Sequence, residues 1–395
     1  MRKPVVGDTA GKFPGMISVT KLLCGAPAHD QSDGGESGSR SSDMVWNITR
    51  RCNLRCPQCD SDSSNKPCSG ELTLGEMVAV VDDLADSGIR NLLFSGGEPL
   101  LHPHFFDVAG YAAERGMRVS VFSNGTRLDS HAAAHLKDLG VGYVELSLDG
   151  LGEESDAYRG RTGTFKKTVT ALRSCRGTGQ KVGLRIPISR RNAARLPEIL
   201  SFIEEEEVPT VSFYHPVFPA RGAELARLPA TETRNVLRMI LDAVLRWNRA
   251  GVAREVFTAN QPADTIFYWF RMKRRNPKRA GEIWASLLRM ENKPKNSGLG
   301  TPGIDSQGNV RPNLYWDTHS FGNVKESPFR TIWETSKQDA MLNELREAAC
   351  HLKGRCGHCR FQSFCGGGSR VRALKTFGSL RAEDPGCHLR DYEIA

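Results

Sequence analysis

Between residues 44 and 216, short apolar runs alternate with helix-spaced segments, and that rhythm restricts the fold more than any single motif. MVWNI (44–48), NLLFS (91–95), MRVSVFSN (117–124), VGYVELSLDG (141–150), KVGLRIPIS (181–189) and TVSFYHP (210–216) have strand composition. The stretches between them, 72–88, 105–116, 131–140, 164–175 and 196–206, are apolar at helical spacing. Six strands and five helices in alternation predict parallel βα units and an α/β fold. The expected architecture is a partial (β/α)6 TIM barrel, short of the eight units that close. Barrels of this kind place their chemistry at the C-terminal strand ends. The rhythm changes near residue 225: ETRNVLRMILDAVLRWNRAG (232–251) predicts a long amphipathic helix, and GIDSQGNVRPNLYW (303–316) a hairpin turning near Gln307.

The first strand runs directly into TRRCNLRCPQCD (49–60), which sets Cys52, Cys56 and Cys59 in a C-x3-C-x2-C array. Three close thiols can form a disulfide, bind zinc, or hold three irons of a [4Fe–4S] cube whose fourth iron stays open. No apolar run reaches the roughly 20 residues of a membrane span, and the basic N-terminus lacks the apolar core of a secretory signal. A cytoplasmic location is therefore expected. Eleven cysteines in a reducing compartment point to metal or chemistry rather than structural disulfides. Cys24, Cys68, Cys175 and Cys350 fall outside the clustered spacings and are expected to be inert packing thiols.

Three more strand ends carry polar or glycine-rich turns. FSGGEPL (94–100) supplies Gly96 and Gly97, which allow close backbone approach, and Glu98, which can accept from an ammonium group. SNGT carries Asn124, and SLDG carries Ser147 and Asp149, groups suited to ribose hydroxyls or a carboxylate. In order and spacing these motifs resemble the radical S-adenosylmethionine (SAM) superfamily. That resemblance implies that Cys52, Cys56 and Cys59 hold a cluster whose open iron takes the amino and carboxylate groups of SAM. It implies further that Gly96, Gly97 and Glu98 bind the methionine amino group, that Ser147 and Asp149 approach the ribose, and that Arg159 partners the methionine carboxylate. The family's reduced cluster cleaves SAM to a 5′-deoxyadenosyl radical; no side chain is singled out as catalytic, since cluster and cofactor carry that chemistry. Gln58 and Asp60 depart from the aromatic residues common on either side of the third cysteine, which puts the packing around adenine in doubt.

A second group, Cys356, Cys359, Cys365 and Cys387, resembles the C-terminal SPASM or twitch extensions of the same superfamily. Four thiolates can saturate one auxiliary [4Fe–4S] cluster; a zinc ribbon is the alternative. A full SPASM array would need further cysteines, and Gly303 and Ser369 stand where two of them are expected. The implied organisation is an N-terminal extension and flexible linker (1–43), the barrel (44–225), a helical connector (226–300) and the auxiliary-cluster region (301–395).

The strings MISVTKLLCG (16–25), IDSQGNVRPNLYWDTHSFGNV (304–324) and the last 45 residues resemble enzymes of alternative heme and heme d1 synthesis. The implied substrate is an anionic iron tetrapyrrole, 12,18-didecarboxysiroheme, losing two acetates to give iron-coproporphyrin III. An electron donor such as ferredoxin or flavodoxin is implied as well. The net charge of +9 suits a polyanion, and Arg185, Arg221, Arg311, His319 and Arg370 are the candidate contacts. Nucleic acid is not expected, because RMKRRNPKR (271–279) is the only dense basic run and no binding module accompanies it. Three other readings remain: propionate cleavage in heme d1 synthesis, peptide modification of the SPASM type, and a non-enzymatic iron–sulfur electron carrier. A carrier gains nothing from an open iron, and residues 1–43 are too short and polar for the peptide-binding domain usual in the maturases.

Overall fold

The computed structural model describes residues 16–25, 42–217, 227–289, 301–348 and 351–395. Its strands are β1 (Met16–Ser18), β2 (Asp43–Thr49), β3 (Asn91–Gly96), β4 (Arg118–Ser123), β5 (Tyr143–Ser147) and β6 (Val182–Pro187). There follow β7 (Thr210–Tyr214), β8 (Glu255–Ala259), β9 (Gly303–Ile304), β10 (Asn309–Arg311) and β11 (Gly322–Asn323). They form one sheet in the order β1-β8-β7-β6-β5-β4-β3-β2-β9-β10-β11. From β2 to β8 every neighbouring pair is parallel, the open barrel expected of the α/β rhythm.

The rhythm runs one unit further than the sequence reading allowed. Helix Ala230–Arg249 buries Val236, Leu237, Ile240, Leu241, Val244 and Trp247 along one stripe and leads into β8. That strand pairs parallel with β7, Thr210 beside Glu255 through Tyr214 beside Ala259. The stretch EVFTA opens on a charged residue and offers only five positions, too few for its period to show. Burial on all five identifies it. The described part of the connector, residues 227–289, thus holds three helices and one barrel strand. β1 flanks β8 antiparallel, and β9 flanks β2 parallel at Val45–Gly303 and Trp46–Ile304. The expected hairpin is β9–β10, closed by Asp305, whose carboxylate accepts from the amides of Gln307 and Asn309.

Alternate residues along each strand divide between two environments, as the strand period of two requires. Val121, Val144, Leu146, Leu184, Ile186, Val211 and Phe213 join the surrounding helices in one hydrophobic core. Each fully buried side chain of this kind contributes about 1.5–3 kcal/mol. The other set is polar or aromatic. Register places Phe122 beside Glu145, Ser147 beside Arg185, and Arg185 beside Ser212. That row lines the inside of the barrel.

Past β11 the elements are short; Phe329, Ile332, Phe361, Phe364, Leu389 and Ile394 join the main core, and Leu345, Ala348, Val371 and Leu380 form a small second cluster with Val217 and Trp316. Buried polar ties supplement it. Arg372 donates through Nε and Nη2 to the two oxygens of Asp384, at 2.8 and 2.7 Å, and through Nη2 to the carbonyl of Asn260 at 2.8 Å. This bidentate pair fastens the C-terminal region to the end of β8.

Candidate active site

The cysteine loop leaves the end of β2 and is anchored before its thiols are reached. Cys52 N donates to Ser64 O at 2.9 Å, and Leu54 is buried beneath the loop. Two backbone amides point at sulfur: Leu54 N at 3.4 Å from Cys52 Sγ and Ser63 N at 3.3 Å from Cys59 Sγ. Such N–H···S contacts stabilise thiolates and tune the potential of a bound cluster. Burial pushes the Cys52 thiol up to about 11 and the Cys56 thiol up to about 12. Loading metal must therefore displace protons from both.

The glycines of GGEP are explained by what they lie against. A Cβ on Gly97 would stand 2.3 Å from the Arg51 carbonyl oxygen, and one on Gly96, at φ +129°, 2.3 Å from that of Thr49. Only glycine lets this turn continue the pairing with the cysteine loop, through Gly97 N to Thr49 O at 2.7 Å and Glu98 N to Arg51 O at 2.9 Å. Glu98 is wholly buried. It accepts from Ser123 Oγ at 2.8 Å, Asn124 N at 2.7 Å and Leu100 N at 3.3 Å. Burial raises its carboxyl to about 7 despite these donors. A carboxylate has about four acceptor sites, so one remains for a further donor. Asn124 reaches from the same turn to Cys52 Sγ at 3.7 Å and Asn53 Oδ1 at 3.0 Å.

Asp149 and Arg159 form a buried pair, Nε to Oδ2 at 2.7 Å. Arg159 also donates to the carbonyls of Ser147 and Asn124. It is 1% exposed, so the structure gives it protein acceptors on three sides and makes it a brace between strand ends. The second oxygen of Asp149 accepts from Gln58 Nε2 at 2.8 Å. The departure from an aromatic residue at position 58 thus has a physical counterpart: Gln58 ties the cysteine loop to this pair. Its Oε1 is buried without a partner, the kind of orphaned acceptor that a bound group satisfies. The three thiols, the available Glu98 acceptor and this orphan together fit a cluster with a polar organic ligand beside it.

The second group of thiols converges as the spacing predicted. Cys356, Cys359, Cys365 and Cys387 line one cavity together with Gln261 and Ile266. Burial raises all four, Cys387 to about 11, and Cys365 feels the charges of the other three. Phe361 N donates to Cys359 Sγ at 3.4 Å. Among the described residues no group of three His, Cys, Asp or Glu side chains is drawn together to hold a single metal ion. Four thiols around one cavity fit the auxiliary cluster expected from their spacing. Cys175 is packed in the core and Cys24 against it, while Cys68 lies partly exposed, outside both groups; Cys350 lies outside the described residues.

Of the four described cations expected to meet substrate, one faces the barrel interior. Arg185 stacks on Tyr214, its guanidinium carbon 3.9 Å from the ring centroid, and on Phe122 at 4.8 Å. The other three described ones are committed elsewhere. Arg370 is fully buried and donates to the carbonyls of Leu380, Ala382 and Gly367. Arg311 pairs with Asp305 inside the hairpin and His319 with Asp339. Arg221 lies outside the described residues. Sequence reasoning missed Tyr214 and Tyr315, which flank Arg185, and a buried His215–Asp264–His388 array with both imidazoles 2.9 Å from the carboxylate. Strand alternation could have marked Tyr214; nothing local marks residues brought together across 45 or more positions.

The Radical SAM superfamily pattern matches residues 46–203, and that of SPASM, an iron–sulfur cluster-binding domain, residues 298–360. The solved structure "Native anSMEcpe with bound AdoMet" superposes with a TM-score of 0.68 at 18% identity, covering 89% of this chain and 94% of that one. Streptococcus suis SuiB bound to S-adenosylmethionine gives 0.68 at 15% identity, covering 89% and 78%. At these identities the likeness is one of fold. Fold and site define a SAM-dependent iron–sulfur enzyme with two [4Fe–4S] clusters. The Fe-coproporphyrin III synthase of Methanosarcina barkeri is 36% identical, covering 96% of this chain and 99% of its own length. Pre-heme d1 synthase of Dinoroseobacter shibae is 35% identical, covering 88% and 86%. The chain belongs to the radical SAM superfamily, in the group that contains these heme-synthesis enzymes.

Proposed function

We propose that this enzyme is a 12,18-didecarboxysiroheme deacetylase, removing two acetate side chains from that iron tetrapyrrole to give iron-coproporphyrin III. The observation that carries the reading is 36% identity along 96% of the chain to a protein named Fe-coproporphyrin III synthase. Cys52, Cys56 and Cys59 hold the SAM-binding cluster, and Cys356, Cys359, Cys365 and Cys387 the auxiliary one. When bound, the first cluster and SAM supply a 5′-deoxyadenosyl radical. The chain's own work is positional: Glu98 receives the methionine amino group, and Asn124, Ser147 and Asp149 face the ribose. The Asp149–Arg159 brace fixes the strand ends that carry them. A ferredoxin or flavodoxin delivers the electrons. The chain's excess of 54 Lys and Arg over 45 Asp and Glu favours a polyanionic substrate.

A second reading, propionate cleavage in heme d1 synthesis, is favoured by the 35% identity to pre-heme d1 synthase. One assay separates the two. Reconstituted enzyme receives SAM, a reductant and 12,18-didecarboxysiroheme without oxygen, and products are followed by mass spectrometry. Stepwise loss of two acetate-derived masses with 5′-deoxyadenosine establishes the deacetylase. Loss of propionate-derived masses instead assigns the enzyme to propionate cleavage, and deoxyadenosine with an unchanged tetrapyrrole counts against both.

A further inference from the structure

A buried arginine is costly unless its donors are taken up, and Arg159, Arg370 and Arg372 each have close protein acceptors. Arg159 lies 2.7 Å from Asp149 and Arg372 2.7 Å from Asp384, while Arg370 donates to three backbone carbonyls. Arg185 differs. Its side chain is 20% exposed, and the carboxylate facing it, Glu145 Oε2, stands at 3.9 Å, beyond hydrogen-bond reach. Glu145 is itself a weak counter-ion, because burial raises its carboxyl to about 7. What holds Arg185 is chiefly aromatic: Tyr214 and Phe122 lie against the guanidinium. The Tyr315 hydroxyl, fixed by Asn260 Nδ2 at 3.0 Å, takes one Arg185 donor and brings the C-terminal region to the same point, leaving the other edge of the fork for a ligand. Asp60, one residue past the last cysteine of the loop, is near enough for its charge to be felt by Arg185.

A face-stacked guanidinium keeps its N–H donors in plane and directed edgewise, the geometry that receives a carboxylate with two parallel bonds. We propose that Arg185 is the receptor for one carboxylate of the substrate, held at the barrel mouth by the Tyr214–Phe122 stack where cysteine loop and C-terminal region meet. The assignment rests on the tetrapyrrole reading and adds to it the group that orients the ring. It makes Arg185 a binding residue and Tyr214 a positioning residue.

The test is equilibrium binding, independent of turnover. Holoenzyme with SAM is titrated without oxygen with iron-coproporphyrin III, and separately with its tetramethyl ester, following the Soret band. R185M should weaken binding of the acid roughly 10- to 100-fold, with little change for the ester and unchanged iron content. R185K, a point charge without the planar fork, should fall between. Y214L should weaken the acid to a smaller degree, and Y214F, which keeps the ring face, should restore it. Equal affinity of R185M, R185K and wild type for the acid would overturn the assignment. So would a loss of the same size for the ester. Absence of saturable acid binding by the wild type would overturn the tetrapyrrole reading, and the assignment with it.

Discussion

Glu98 joins three parts of the site in one side chain. It is wholly buried, it bonds the turn after β4 through Ser123 and Asn124, and its own amide bonds Arg51 of the cysteine loop. Glu98→Gln keeps the shape and one acceptor oxygen while removing the charge. SAM affinity should fall by about 1.5–3 kcal/mol, the scale of a charge-assisted hydrogen bond, with both clusters retained. Equilibrium dialysis with labelled SAM checks this; unchanged affinity would show that Glu98 is only structural. The identity of Glu98 could be read from GGEP in the sequence. Its partners could not, because Ser123 and Asn124 are 25 and 26 positions away.

At the scale of a strand, β5 shows how the inner row of the barrel affects stability. Its alternate residues Tyr143, Glu145 and Ser147 face inward, and Glu145 is 1% exposed. Burial raises its carboxyl from the usual 4.5 to about 7. The folded state therefore keeps a proton that the unfolded state has lost across that window. Stability from this group is fully present below pH about 4.5 and declines as pH rises towards 7, by up to about 3 kcal/mol. Glu145→Gln removes the titration. Its urea midpoint relative to wild type should rise between pH 5 and pH 7.5, with the gain appearing at the higher pH. A constant difference between the two proteins would place the Glu145 carboxyl near its ordinary value. The same element scale explains the missed strand: five residues of β8, buried on every position, carry no period to detect.

Across the whole molecule, one sheet runs from β1 to β11, so the C-terminal region is continuous with the barrel through the β2–β9 pairing. Beside the core contacts of Phe361, Phe364, Leu389 and Ile394 and the Arg372–Asp384 tie, a metal cluster held by the four thiols adds a further source of cohesion there. Changing Cys356 and Cys359 to Ala should remove about four irons, lower the melting temperature, and leave uncoupled SAM cleavage at the first site. Iron analysis and calorimetry check this; unchanged iron would remove the auxiliary cluster. By itself the sequence determined the parallel barrel, the two thiol groups and the glycine turn, because each is written in local period, spacing or residue type. Only the tertiary structure decided that Arg185 faces the barrel interior while Arg311, His319 and Arg370 are tied up elsewhere. An arginine's role depends on which acceptors reach it across the fold, and those partners are set by register and packing.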